Sequence, residues 1–451
     1  MQLSSLIGHA GQCSSIILKS AKPADALVSE YTREHKYLGS SDRRILSELV
    51  FSYLRNKTVI EVIASEVIEQ KDLLQLQALS PIALYKFFLL ITFIVVFDKH
   101  NQVQVSIDSF FRFFELNEDT AIELKNFIEK KYSELSTIST LESLSTFYSI
   151  PIWILDLWAE STLKNRTFQD QTELSNSLCN PAPLCIRVNT QITTAEETLQ
   201  RLLFAGIEAR FSDFIPNCII ISQRVSLLDT NLYKSGAIEI QDESSQIAAF
   251  AVAPEEHWSI LDACAGAGGK SLHLSTLQKD LGSIVATDIE WNRLKQIQKR
   301  NERHRFSSIS TFLWGQKNKK FPHSSFDAVF VDAPCSGLGT IRRMPLPKWK
   351  LSKESITKLA KNQLDILNNY SKYVAKGGVL VYATCSFLPQ ENENVVEEFL
   401  STNPEFEKDS LKPGFEKFGV PLQPDVDYCT TMLPSVHGSD GFFVARLRKN
   451  G

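Results

Sequence analysis

Two short segments carry the residues best suited to covalent chemistry. Asp332-Ala333-Pro334-Cys335-Ser336-Gly337 and Ala383-Thr384-Cys385-Ser386 directly follow apolar runs, Ala328–Val331 and Val379–Ala383. A lone buried cysteine ordinarily behaves as a small inert hydrophobe. Two at the ends of strand-like runs, each beside a serine and one preceded by an acid and a proline, instead suggest a pair of thiols at one edge of a sheet. A thiolate is the nucleophilic form of cysteine, and a neighbouring base or cation favours it. A second thiol nearby could carry a proton. Cys13, Cys179, Cys185, Cys218 and Cys429 lack this context and read as packing residues. The eight cysteines include no C-x-x-C pair, which argues against a disulfide framework and a zinc ribbon, and no metal is expected.

Such residues need a sheet to position them. After Pro254, the runs Ser259–Ala263, Ser283–Thr287, Ala328–Val331 and Val379–Ala383 alternate with helical stretches. That pattern predicts a doubly wound, mostly parallel α/β sheet, whose ligands sit at the carboxyl ends of the strands. The first strand runs into Asp262-Ala263-Cys264-Ala265-Gly266-Ala267-Gly268-Gly269-Lys270-Ser271 and then a helix. Clustered glycines at a strand-to-helix turn let backbone amides approach a ligand at the positive end of the helix.

Two cofactor readings compete for this loop. Gly269-Lys270-Ser271 matches the end of the phosphate-binding pattern G-x-x-x-x-G-K-[ST], but Cys264 stands where its first glycine belongs. Asp332 could imitate the magnesium-binding acid of a nucleotide hydrolase. Against this, the second strand ends in Ala286-Thr287-Asp288, about 20 residues beyond the glycines, where an acid can bind a ribose. That favours a nucleoside. The dinucleotide fingerprint fails at Ser271, and S-adenosylmethionine is the remaining common nucleoside cofactor.

A thiol has a use in methyl transfer. Carbon 5 of a pyrimidine is a poor nucleophile, but a thiolate adding at carbon 6 pushes electron density onto carbon 5. Asp332 is placed in sequence to stabilise the adduct at a ring nitrogen or exocyclic amine.

In these motifs the chain resembles the Nol/Nop/Sun family of RNA cytosine-5 methyltransferases, and within it the RsmB or Fmu branch, which acts on small-subunit 16S ribosomal RNA. The likeness runs from about Pro183 to Lys449. It includes Ile186-Arg187-Val188-Asn189-Thr190, Gln241-Asp242-Glu243-Ser244-Ser245-Gln246, the glycine loop, both cysteine motifs and His437-Gly438-Ser439-Asp440-Gly441-Phe442-Phe443. The resemblance implies that Cys385 is the nucleophile and Cys335 promotes product release, with Asp332 and Lys270 beside them. It further implies that Cys264, Ala265, Gly266, Ala267, Gly268, Gly269, Lys270, Asp288, Arg293, Gln316 and Asp332 line the S-adenosylmethionine site. The DNA enzymes resemble the reverse arrangement, with their nucleophile in the Pro-Cys motif, so Thr384-Cys385-Ser386 favours RNA.

There are two departures. The family loop reads Cys-Ala-Ala-Pro-Gly-Gly-Lys, where this chain has Gly266 and Ala267 in the third and fourth places. An aspartate is usual after the third strand, where Gln316 can accept a hydrogen bond but carries no charge.

At 451 residues the chain should hold two or three domains. Residues 1–160 are rich in Leu, Ile, Phe and Glu and predict an all-helical domain, with Ile45, Leu46, Leu49, Val50, Tyr53 and Leu54 at helical spacing after a candidate cap, Ser41. Lys22-Pro23-Ala24-Asp25 and Asp42 to Val50 resemble the start of a NusB-like RNA-binding domain, and Ile150-Pro151-Ile152-Trp153 its exit. The polar stretch Thr167 to Cys179, followed by Asn180-Pro181, reads as a boundary. Residues 166–250 predict a small α/β module like an RNA-recognition motif, with strands Leu184–Val188 and Cys218–Ser222 and a helix over Thr194–Phe204. Residues 251–451 predict the Rossmann-like methyltransferase domain.

With 48 Lys and Arg against 52 Asp and Glu, any RNA surface must be local. One basic group lies at Arg293, Lys295, Lys299, Arg300, Arg303 and Arg305, equally a solvated helix face. Another, Arg342-Arg343-Met344-Pro345-Leu346-Pro347-Lys348-Trp349-Lys350, joins cations to an aromatic beside Cys335. Arg342, Arg343 and Lys348 are therefore expected to contact RNA. Met1 to Ser20 does not read as a signal peptide, and Phe87 to Phe97 is about half of a membrane span and reads as a buried helix. A cytoplasmic monomer is expected. The alternatives are an idle RNA-binding assembly factor and an enzyme acting on transfer RNA.

Overall fold

The computed structural model describes residues 2–69, 80–97, 117–160, 166–223, 225–315, 321–422 and 426–451. The chain forms two compact units. The first comprises Met1–Ala159, Asn165–Pro181 and Ile341–Lys350, the second Glu160–Lys164, Ala182–Thr340 and Leu351–Gly451.

The first unit is helical throughout its described residues. Helix Ser40–Arg55 buries Leu46, Leu49, Val50, Tyr53 and Leu54 on one face, against helices Leu3–Lys19 and Pro81–Thr92. Its cap differs from expectation. Ser41 lies inside the helix, and Asp42 Oδ2 reaches back to accept the Gly39 N–H at 3.1 Å, which satisfies an otherwise orphaned donor. Phe87 through Val96 are buried in helix Pro81–Thr92 and the π-turn Phe93–Phe97. No helix among the described residues is long and apolar enough to cross a membrane.

The polar stretch after Thr167 is a helix, Phe168–Cys179, and not a linker. Thr167 Oγ1 caps it by accepting from Asp170 N at 3.2 Å, and Asp170 Oδ2 accepts from Thr167 N at 2.7 Å. Only Gln171, Leu174, Ser175 and Leu178 face inward, so the apolar signal is thin.

A second correction concerns the basic segment after Cys335. Arg342 and Lys348 are 7% and 2% exposed, too buried to serve as a phosphate-binding surface. Both were expected to contact RNA. Instead Arg342 donates to the carbonyls of Asn180 and Pro181, both at 3.2 Å, and Lys348 to Arg55 O at 2.7 Å. Trp349 Nε1 donates to Leu54 O at 2.7 Å, Leu346 joins the helical core, and Arg343 is half-buried on the same turn. Helix ends leave carbonyls without intrahelical partners, and these cations and the indole supply them.

The described residues of the second unit form two sheets. Strands β1 (Leu184–Val188), β2 (Ala209–Phe211), β3 (Cys218–Ile221) and β4 (Ile238–Ile240) form an antiparallel sheet of order β2-β3-β1-β4, crossed by helix Ala195–Phe204. The larger sheet joins β5 (Ser259–Ala263), β6 (Ser283–Asp288), β7 (Ile309–Leu313), β8 (Phe326–Asp332), β9 (Val374–Thr384), β10 (Phe406–Lys408), β11 (Cys429–Met432) and β12 (Phe442–Lys449). Its order is β10-β12-β9-β8-β5-β6-β7, with β11 also on β12. Strands β5 to β9 are parallel and β12 is antiparallel to β9. This is a Rossmann-like, doubly wound fold.

Alternate side chains of the strands feed two cores. Ile260, Phe330 and Val381 pack with Phe250, Leu272 and Ile297 on one face, and Leu261, Val329 and Leu380 with Leu367, Tyr370 and Phe399 on the other. Burial on both faces explains the continuous apolar runs. The chain moves outward from β5 through β7 and then crosses to β8, so the strand order reverses between β5 and β8. A crevice opens at such a point, beyond the carboxyl ends.

Candidate active site

The glycine loop bridges β5 and helix Gly269–Leu277 by three left-handed residues, Cys264 (φ 60°), Gly266 (φ 56°) and Gly268 (φ 83°). A Cβ on Gly268 would come within 2.6 Å of the Ile297 side chain, whereas one on Gly266 meets nothing within 4 Å among the described residues. The loop is therefore packed at its helix end and open over Gly266. Ala265 N donates to Thr287 O at 2.8 Å, and Gly266 N to Asp288 Oδ2 at 2.9 Å. Asp288 Oδ1 accepts Glu290 N at 2.8 Å. Each Asp288 oxygen has one such donor and a second lone pair available to a ribose hydroxyl. An open glycine turn beside such a carboxylate fits a nucleoside cofactor.

The loop is clamped from behind by residues that lie far from it in the sequence. Arg187, from β1, donates to Gly269 O at 2.8 Å and to the Gln241 side chain, and Arg300 donates to Ala267 O at 2.8 Å. Buried Glu239 on β4 gathers the cations: His304 Nε2 lies 2.9 Å and Arg300 3.5 Å from its carboxylate, with Arg303 also bonded to it. Burial alone would raise the pKa of Glu239, but His304 and the three arginines hold it at about 2. Part of the basic helix Trp291–His304 is thus spent internally. Arg293, expected at the cofactor, is exposed and paired with Glu290 at 3.0 Å. The arginine of that helix which reaches the loop is Arg300. A short run of cations with a 3.6-residue period held this signal, but its partner Glu239 is some sixty residues upstream.

Across the crevice, Lys270 Nζ lies 2.7 Å from Asp332 Oδ2, and 5.2 Å from the centre of the Phe442 ring. Burial works against the ammonium, yet the Asp332 charge and hydrogen bond outweigh it and hold its pKa above the usual lysine value. The Cys385 sulfur is near enough to add to this effect.

The two cysteines meet. Cys335 Sγ and Cys385 Sγ are 3.1 Å apart, both half-buried and both free thiols. The hydrogen bond to Cys385 and burial push the Cys335 thiol well above the usual range, so Cys335 holds its proton. The third cysteine of the region, Cys264, is pushed up to about 12 by burial and by the Asp332 and Asp288 charges, which leaves it inert.

Backbone bonds hold the thiol turns together. Ala333 N donates to Ala383 O at 2.9 Å and Gly339 N to Cys385 O at 3.0 Å. Gly441 N, in the closing motif, donates to Gly339 O at 2.8 Å. Of the expected site residues, Cys264 to Lys270, Asp288, Asp332, Cys335 and Cys385 converge on one crevice. Arg342, Arg343 and Lys348 belong to the helical unit, and Gln316 lies outside the described residues.

The chain is also similar to known proteins. The description "16S rRNA methyltransferase RsmB/F" matches residues 249–448, and that of the RsmF/B-like ferredoxin-like domain matches residues 151–228. The probable ribosomal RNA small subunit methyltransferase B of Bacillus subtilis is 33% identical over 312 residues, 68% of each chain. That of Coxiella burnetii is 32% identical over 333 residues, 72% of this chain and 74% of the other. Among solved structures, PH0851 shares the fold over 98% of this chain and 99% of its own, at 22% identity and a TM-score of 0.72. A methyltransferase homologue from Pyrococcus horikoshii covers 69% of this chain and 100% of its own, at 25% identity and a TM-score of 0.56. The chain belongs to the RsmB/F family of S-adenosylmethionine-dependent 16S ribosomal RNA methyltransferases.

Proposed function

We propose that the chain methylates carbon 5 of a cytosine in 16S ribosomal RNA through a covalent adduct on Cys385. The observation that carries this reading is the pair of thiols 3.1 Å apart at the ends of β8 and β9, with the Lys270–Asp332 pair beside them. Methyl transfer to oxygen or an exocyclic nitrogen has no use for two thiols.

The glycine loop and Asp288 would hold the nucleoside part of S-adenosylmethionine, which supplies an electrophilic methyl when bound. A cytosine entering the crevice must leave its stack. Cys385 Sγ adds at carbon 6 as the 5,6-double-bond electrons shift to carbon 5, with Lys270 favouring the thiolate and Asp332 bonding the ring nitrogen or amine. Carbon 5, made electron-rich in this way, would take the methyl that bound S-adenosylmethionine supplies. Loss of the carbon 5 proton to solvent then restores the double bond and breaks the carbon–Sγ bond, with the bonding pair leaving on the Cys385 sulfur. Cys335, which holds its own proton beside the departing sulfur, assists that release.

The test is transfer of label from S-adenosylmethionine to separated ribosomal and transfer RNAs. Wild type should label cytosine in 16S RNA, Cys385→Ala should be inactive, and Cys335→Ala should accumulate a denaturant-resistant protein–RNA adduct. Full activity in Cys385→Ala, or label in a base other than cytosine, overturns the reading. Label confined to transfer RNA would move the substrate and keep the chemistry.

A further inference from the structure

Neither cysteine turn is held by its strand alone. Both converge on Glu391, a residue with no atom exposed, in the turn Pro389–Glu391 after β9. Its Oε1 accepts Ser336 N at 2.8 Å and Gln363 Nε2 at 3.0 Å. Its Oε2 accepts Ser336 Oγ at 2.5 Å and Ser386 Oγ at 2.6 Å. Ser336 follows Cys335 in the chain and Ser386 follows Cys385. One buried carboxylate therefore grips the residue after each thiol.

The grip extends to the other side of each cysteine. Gln363 Nε2, from helix Lys353–Ser371, also donates to Pro334 O at 3.0 Å, just before Cys335. The neighbouring Asn392 accepts Thr384 Oγ1 at 2.6 Å and donates to Ser386 O at 3.1 Å, on either side of Cys385. Tyr382 OH fixes the hub itself by donating to Glu391 O at 2.6 Å.

We propose that Glu391 is the positioning residue that sets the separation of the two thiols, and with it the partition between adduct formation and adduct release. The proposal rests on the roles of Cys385 and Cys335 given above. Glu391 touches neither sulfur and acts through Ser336 and Ser386. A carboxylate suits the place because it offers four acceptor positions and four donors point at it. Glutamine could substitute in part. The two donors at Oε2 are hydroxyls, which can turn to accept from an amide nitrogen, whereas the two at Oε1 are N–H groups, which cannot. Alanine takes this acceptor from all four donors, leaving Gln363 Nε2 only Pro334 O and Ser336 Oγ only the Ser386 hydroxyl at 3.3 Å.

The first readout is independent of methylation. Diamide takes two electrons and two protons from a thiol pair, forming the Cys335–Cys385 disulfide and the hydrazine. In the full chain, mass mapping should show this disulfide closing about ten-fold more slowly in Glu391→Ala than in wild type, since an ångström of misplacement is costly to a proximity-driven reaction. Glu391→Gln should recover most of the rate. The second readout is RNA methylation by single-arm variants. Ser386→Ala should slow adduct formation, and Ser336→Ala should slow release and accumulate adduct.

If Glu391→Ala fails to fold, the serine variants and Glu391→Gln still decide. Wild-type closure in Glu391→Ala, or the same partition in both serine variants, overturns the proposal. Altered disulfide closure in a chain whose Cys385→Ala form still methylates would sink the cytosine-5 reading and leave the positioning role standing.

Discussion

Asp262 closes β5 beneath the glycine loop with no exposed surface. Ser271 Oγ donates to its Oδ2 at 2.5 Å, while its Oδ1 has no hydrogen-bond partner among the described residues. Burial raises its pKa from 3.8 to about 7; the Ser271 bond opposes this rise, and Asp332 and Asp288 add to it. A carboxyl with a raised folded-state pKa contributes stability that is fully present below the unfolded value and drains away as pH rises through the folded one. At about 1.4 kcal/mol per pH unit, the ionised form costs about 4 kcal/mol above pH 7 and about 2 kcal/mol at pH 5.

Asp262→Asn removes the charge and keeps the oxygen that Ser271 needs. Its amide nitrogen takes the place of the unpartnered oxygen, at a cost of about 1–3 kcal/mol that does not vary with pH. The difference between the two pH values is therefore the diagnostic. Urea unfolding followed by circular dichroism should show the variant gaining about 2 kcal/mol relative to wild type between pH 5 and pH 8. A variant-to-wild-type difference that is equal at both pH values, or smaller at pH 8, would refute the reasoning.

Three further outcomes are expected. Burial depresses the Lys348 pKa from 10.5 to about 8, so its penalty is fully present below pH 8 and relieved as pH rises toward 10.5; in urea melts the advantage of Lys348→Met should shrink by about 3 kcal/mol over that window, and a flat difference counts against it. Gly339→Ala would bring a Cβ within 2.0 Å of Gly441 O and 2.8 Å of Cys385 O, both backbone, so a stability loss of about 3 kcal/mol and a collapse of methyl transfer should follow; near-normal activity would show that the turn can yield. Asp288→Ala removes the acceptor of Gly266 N and the charge expected at the ribose, and calorimetry with S-adenosylmethionine should show affinity lower by about ten-fold or more.

The crevice was legible in the sequence because each of its parts ends or directly follows a buried parallel strand: Cys264 to Lys270 after β5, Asp288 at the end of β6, Asp332 at the end of β8 with Cys335 just beyond it, and Cys385 after β9. What escaped were partners distant in the chain. Glu239 and Arg187 clamp the glycine loop from another sheet, and Glu391 reads as one acid among many until both cysteine turns fold onto it. Arg342 and Lys348 misled for a related reason. A cation beside a tryptophan looks the same whether it faces phosphate or a helix's spare carbonyls. Strands β10 to β12 were missed because they are antiparallel additions at one edge, and β12 ends in Arg446, Arg448 and Lys449, which mask its apolar inner face.

The placement of Ile341–Lys350 in the helical unit bears on the order in which the protein can be built. A ribosome releases the helices first, but Arg342, Lys348 and Trp349 emerge only after β8 has been made, roughly 160 residues past Pro181 at about 5–20 residues per second. Until then the carbonyls of Leu54, Arg55, Asn180 and Pro181 wait without these donors. The helical unit is finished from downstream, and a gene cut at Pro181 would encode helices without their last clasp.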